Sequence, residues 1–400
     1  MDFFLSENQY SRSQPSGKNH PARSHFIIQH PKKNDFEISL KSFVLQYLRP
    51  LPVADTSAAA PKLSLPPPEL DSPDFWRAAH HYAETLHAAL PFMVRLQRSS
   101  WLTQVPSSVQ EFFEKELSRE RIRLALLDTE GTLAIQTLEN AKIPTLILKG
   151  MDVARRYYPE RILRPMTDID LLVPVDRYAQ AIGALNQQGF RTVGQIYPGR
   201  FRVELARSSF HPVIEIHTQL LKTDTPQSIS QLWIQSELAG FSDLSPSVRV
   251  LNEMDCLSYL VRHAAVQHLI ESPIWLNDVH YLIQSRIRNH RPVAWDSFVQ
   301  EMNHYQARSA GWFMLNLLKK EWNTSVPSNV LAALQPKAHT FRYRFLSQQS
   351  QLERWFPVSP RTWGWVFKAR YYLKDSFVNA MLAFGERWIL KVYLLLFNKS

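Results

Sequence analysis

The chain has 400 residues, 45% apolar and 12% aromatic, with 46 Lys and Arg against 36 Asp and Glu for a formal net charge of +10. This length supports two or three domains with a substantial core, and the composition excludes wholesale disorder. The single cysteine, Cys256, excludes an intrachain disulfide framework, and no stretch reaches the roughly 18 uncharged apolar residues of a spanning helix.

With 11 Gly and 26 Pro the chain suits a helix-rich protein with proline-marked breaks better than a glycine-turned sandwich. The positive balance fits an anionic partner: nucleic acid, nucleotide or an acidic membrane surface. The N-terminus lacks a charged segment leading into an apolar one, so it does not read as a secretory signal, and a cytoplasmic location is expected.

Residues 1–35 are polar and read as a mobile arm. Residues 36–143 read as a helical region. It begins with "FEISLKSFVLQYLRPL", followed by a Pro/Ala/Ser linker, "PVADTSAAAPKLSLPPPELDSP". "DFWRAAHHYAETLHAALPFMVRLQR" then reads as a long helix or a pair broken near Pro91. A further helix follows, with Ser107 or Ser108 as its N-cap.

At residue 144 the pattern changes. "IPTLILKG" is a short apolar run ending at Gly150, the mark of a buried strand and a tight turn. "MDVARRYYPE" gives a short helix and "TDIDLLVPV" a second strand. "DRYAQAIGALNQQGF" gives an amphipathic helix, "RTVGQIY" and "RFRVELARS" flank the hairpin turn "PGR", and "HPVIEIHTQLL" supplies another strand. Residues 144–222 therefore read as a small α/β core. After Thr223 the chain returns to helices, giving a helical domain over 223–335. Residues 336–400 form a basic, aromatic, helical end that includes "WILKVYLLLF". That end reads as a helical cap, or as a surface for RNA or peripheral membrane contact.

Alternate side chains of a strand share a face, so Asp168 and Asp170 project together while Ile169 and Leu171 point to the core. Two such carboxylates repel unless a cation sits between them, and Mg²⁺ (or Mn²⁺) suits an all-oxygen site completed by substrate phosphates. Phosphoryl chemistry wants a third acid. Glu215 in "VIEIH" supplies one, with His217 on the same face; Glu204 in "RVELA" is its rival. The turn at Lys149-Gly150 opens a helix whose first amides can face a phosphate, and Lys149 is either a point charge for that phosphate or an ordinary exposed lysine.

The combination "ILKG", "RPMTDIDLLV" and "IEIH" resembles the uncharacterised nucleotidyltransferase family called NTP-transferase type 5, within the DNA polymerase β-like superfamily. "LVRHAAVQH" and "WLNDVHYL" are similar to that family's downstream helical motifs, and the likeness runs over about residues 75–330. It implies an α+β fold, with a small mixed-sheet polymerase β-like core between extensive helical flanks. It also implies that Asp168, Asp170 and Glu215 are metal ligands and catalytic acids, and that Lys149, Gly150 and Arg164 bind nucleotide phosphate. Arg164 would clamp a phosphate or orient a carboxylate, or else form a salt bridge to Asp168. His217, His263, Trp275 and Asp278 would support the site from around it. Trp275 is a base-stacking platform or a core aromatic, and His263 a hydrogen-bonded helix histidine or a base. A Lys-Gly turn stands where the wider superfamily carries Gly-Ser. The implied activity is transfer of an NMP from an NTP to an acceptor (RNA, small molecule or peptide) with release of pyrophosphate. The competing expectations are a non-catalytic RNA- or partner-binding protein on the same fold, and a phosphotransferase.

Overall fold

The computed structural model describes residues 33–50, 71–99, 101–193, 202–221, 224–357 and 361–375. The polar arm as far as residue 32, the linker at 51–70, the turn Pro198–Arg200 and the C-terminal stretch Trp388–Phe397 lie outside the described residues.

Helices α1 (Lys33–Leu48), α2 (Pro73–Thr85) and α3 (Ala89–Gln97) form an N-terminal group bound by aromatic packing. Phe43 is its hub, with Phe75, Trp76 and Phe92 rings 5.4, 5.6 and 6.2 Å away. Ser72 caps α2 by accepting from the Phe75 amide, and Pro73 occupies the first turn, where no amide is required. The break before α3 falls at Leu86–Ala88, where His87 takes a φ of 53°, and not at Pro91. Pro91 sits in the opening turn of α3, where its missing N–H removes no helical bond. The next helix, α4 (Ser107–Asn140), is 34 residues long. Its N-cap is Pro106 rather than a serine: Ser107 already has helical geometry and neither serine caps.

The sheet collects β1 (Leu146–Ile147), β2 (Asp168–Leu172), β3 (Arg191–Thr192), β4 (Arg202–Ala206), β5 (Val213–His217), β6 (Glu237–Leu238) and β7 (Arg249–Val250) in the order β3-β4-β5-β2-β1-β7-β6. It is mixed: β2–β5 and β1–β7 are parallel and the other pairs antiparallel. Helices α5 (Lys149–Arg156) and α6 (Tyr178–Gln187) fill the connections after β1 and β2. The fold is thus α+β, as the sequence resemblance implies. One element differs from the expected return to helices after Thr223. The sheet takes β6 and β7 from that region, flanking α7 (Pro226–Gln235), because the two-residue β1 needs a partner on its far edge.

The rest is helical: α8 (Glu253–Val261), α9 (Pro273–Arg288), α10 (Trp295–His304), α11 (Arg308–Trp322), α12 (Ser328–Leu334), α13 (Phe341–Gln349), α14 (Leu352–Trp355) and α15 (Trp363–Leu373). No described helix is long and apolar enough to cross a membrane.

The pleat of the sheet sorts the core in two. Ile147, Ile169, Leu171, Ile214 and Ile216 face one way and pack with α6 and with Leu127, Ala134, Ile135 and Leu138 of α4. Leu146, Leu148 and Leu172 face the other way and join the larger helical core, which also takes Val109, Phe113 and Leu117 from the other half of α4. Gly131 lets α4 approach the sheet, since a Cβ there would lie 2.5 Å from the Ile169 side chain. Asp168, Asp170, Glu215 and His217 stand on the second face, where His217 is level with Leu172.

Candidate active site

Strands β2 and β5 run parallel with Asp170 paired to Glu215 in register, so strand alternation brings the acids together without any loop. The His217 carbonyl accepts from the Val173 amide at 2.9 Å, fixing the end of β5 against β2. His217 Nε2 then lies 2.9 Å from Asp170 Oδ1 and 3.1 Å from Glu215 Oε2. Asp170, Glu215 and His217 are all buried, and one potential ligand atom from each lies within 4.8 Å of the others. Among the described residues this is the group with the geometry of a metal site.

Asp168 is half-buried, one step further out on the same face, and lies outside that trio. Its carboxyl is pushed up to about 7, first by burial and then by the nearby charges of Asp170 and Glu215. Asp170 behaves oppositely. Burial would raise it, but Lys149 and the His217 bond outweigh that and hold it well below the usual carboxylate range. Glu215 is likewise held low against its burial, chiefly by His217, whose own basicity rises through its bonds to both acids although burial opposes this.

Lys149 sits at the sharp end of β1. The Leu148 amide donates to the Asp170 carbonyl at 3.0 Å, after which Lys149 adopts a φ of 46°, a left-handed conformation unusual for a side-chain-bearing residue. Its Nζ reaches Asp170 Oδ1 at 2.7 Å, with the side chain only 16% exposed. The exposed-lysine reading therefore fails, and the ammonium is committed to an acid. Gly150 has an equally specific reason: a Cβ there would lie 2.9 Å from Met166 Cγ and Sδ and 3.3 Å from Arg164 Nη1. The "RPM" segment thus packs directly over the Lys-Gly turn, which links two motifs that the sequence separates.

Arg164 is engaged by a carboxylate of α9 and not by Asp168. Its Nε and Nη2 donate to Asp278 Oδ1 and Oδ2 at 2.8 and 2.9 Å, and Nη1 donates to the Pro165 carbonyl at 2.7 Å. Asp278 also accepts from the Tyr158 hydroxyl at 2.7 Å. The salt bridge to Asp168 is therefore replaced by a buried, bidentate one to α9, and Asp278 braces the arginine rather than the acids. The Arg123 side chain of α4 holds the same segment through the Met166 carbonyl.

His263 belongs to a π-helical turn, Arg262–Gln267, that continues α8. It is buried, and its basicity falls well below normal through burial and then the Lys149 charge. Its ring lies 4.5 Å from that of His268 and 6.0 Å from Trp275, which itself sits 5.1 Å from His268. Trp275 is partly buried against the helical core. A histidine–tryptophan cluster thus borders the Lys149 side of the site.

Sequence reasoning missed Arg202, whose Nη1 binds both Glu215 oxygens at 3.2 and 2.9 Å while Nη2 holds Glu204 at 3.1 Å. The signal was available: Arg202 and Glu204 alternate on β4, and Glu204 stands opposite Glu215. Tyr158 carried no comparable signal.

The sequence profile of a family described as uncharacterised nucleotidyltransferase matches residues 72–323. No curated protein matches the chain. Among solved structures, the antibiotic-resistance factor ANT(2'')-Ia aligns with 14% identity over 44% of this chain and 99% of its own, at a TM-score of 0.26.

Proposed function

The chain belongs to that family of nucleotidyltransferases, and on this premise we propose that it transfers an NMP from an NTP to an acceptor with the help of a divalent metal ion. The supporting observation is the convergence of Asp170, Glu215 and His217 on one point of the sheet face, with Asp168 beside them.

The residues fit a cation. Three carboxylates crowd a partly dehydrated face, and Asp168 is driven toward its protonated form first by burial and then by the other two, a conflict that a bound dication would relieve. Asp170, Glu215 and His217 would hold it, with Asp168 meeting the substrate side. When bound, such an ion neutralises phosphate charge and polarises the phosphoryl centre.

The protein's own groups have distinct tasks. Lys149 orients Asp170 through a 2.7 Å bond, and Arg202 does the same for Glu215. In this reading Glu215 helps draw the proton from the attacking hydroxyl as the hydroxyl oxygen bonds to the α-phosphorus and pyrophosphate departs. The Arg164–Asp278 pair keeps the "RPM" segment pressed over Gly150 and so fixes the start of β2. Most of the acceleration would come from positioning and charge neutralisation.

The test is label transfer from each α-labelled NTP, with divalent metal and a cell extract. Asp168→Asn and Asp170→Asn should each abolish labelling; retention of metal-dependent NTP turnover by both variants overturns the assignment. A product mass increased by one phosphate would indicate a phosphotransferase. Absence of NTP and metal binding in calorimetry would indicate a binding protein.

A further inference from the structure

We infer that His217 is itself a metal ligand, so that the site selects a divalent transition-metal ion over Mg²⁺. This rests on reading the acid cluster as the metal site of the transferase and adds the identity of the ion class.

The distances carry the inference. In an octahedral site with bonds of about 2.1 Å, neighbouring ligand atoms stand about 3 Å apart. His217 Nε2 is 2.9 Å from Asp170 Oδ1 and 3.1 Å from Glu215 Oε2, the spacing of adjacent corners. The imidazole is buried, at 8% side-chain exposure, and the nitrogen it turns toward the acids is the atom a metal would use. An ion at the point where the two acids and Nε2 converge would keep all three side chains in place. Strand geometry prevents a simple retreat. Glu215 and His217 share one face of β5, and that strand is paired on both sides, to β2 and to β4. An aspartate pair with a third acid would give Mg²⁺ only oxygen, whereas this trio presents one nitrogen. Mg²⁺ binds nitrogen poorly, while first-row transition ions accept imidazole readily.

The experiment uses the full chain with Mn²⁺ and Mg²⁺ alone, without nucleotide. Pulsed electron paramagnetic resonance of the Mn²⁺-loaded wild type should show modulation from a directly bound nitrogen. Competition calorimetry should give Mn²⁺ at least about tenfold tighter binding than Mg²⁺. His217→Gln, which offers an oxygen at similar reach, should lose the nitrogen signal and bring the two affinities to within about twofold. Binding of both ions without nitrogen modulation, or a preference unchanged in the variant, overturns the inference while leaving the transferase reading intact. Failure of both ions to bind overturns the two together. Because the nitrogen signal is read on the wild type, a variant that does not fold cannot rescue the inference.

Discussion

Asp278→Asn should destabilise the protein far more than its distance from the acids would indicate. The variant keeps an oxygen for the Tyr158 hydroxyl but removes the charge and one of the two acceptors that hold Arg164 at 2.8 and 2.9 Å. Arg164 is 8% exposed and Asp278 1%, so the guanidinium cannot turn to water. Breaking one side of such a buried pair costs about 3–5 kcal/mol, most of it the penalty of an uncompensated charge. Arg164→Met should cost a similar amount, by stranding the carboxylate. The double variant Arg164→Met/Asp278→Asn leaves no buried charge, so it should cost less than the sum by about 3 kcal/mol. Urea denaturation followed by tryptophan fluorescence measures all three. A single-variant cost below about 1 kcal/mol, or an additive cycle, would refute the view that this pair fastens α9 to the start of β2.

Gly150→Ala should lower the melting temperature even though alanine is the better helix former by about 1 kcal/mol, because its Cβ would strike Met166; a more stable variant would contradict the packing. Asp170→Asn should reduce NMP transfer by roughly 100-fold or more, whereas Glu204→Gln should leave it within about twofold, as steady-state assays would show. His280 is buried against Thr324 at 2.7 Å and lowered to about 4 by burial, so the folded state resists a proton that the unfolded chain accepts. Its contribution is complete above about pH 6.5 and is lost as pH falls toward 4, up to about 3 kcal/mol. His280→Asn should flatten that acid-side slope in denaturation curves recorded from pH 7 to 4, and an unchanged slope would exclude the histidine as its source. Cys256, buried beside Asp152 with its thiol pushed up by burial, should resist a disulfide reagent until the chain is unfolded.

The strand pair at the heart of the site was legible because Asp168 and Asp170, and likewise Glu215 and His217, stand two residues apart around Ile169 and Ile216, which puts each pair on one face of its strand. The α+β class came from the family resemblance, and the residues themselves showed a small α/β module set among helical stretches. What the sequence could not disclose was pairing at long range. Arg164 and Asp278 are separated by 114 residues, and nothing local distinguishes that arginine from a phosphate ligand. Nor could the sequence show that Lys149 takes a left-handed backbone and reaches Asp170, a contact that only the packing of β1 against β2 brings about. The strands β6 and β7 were hidden by their brevity, since a two-residue bridge has no period. Pro91 and Ser107 misled as boundary signals because each falls inside an opening turn, where a proline removes no helical bond and a serine makes no cap.

The order of strands in the sheet has a practical consequence for anyone dissecting the chain. A fragment ending at residue 222 would keep every acid, yet leave the outer edge of Leu146–Ile147 open where Arg249–Val250 now zips against it. Lys149 directly follows that short strip, which would then be held by β2 alone, so fraying there would reach the lysine before any carboxylate was lost. Minimal versions of this domain should therefore extend past Val250, and activity lost on shorter cuts would report a frayed edge rather than a missing catalytic group.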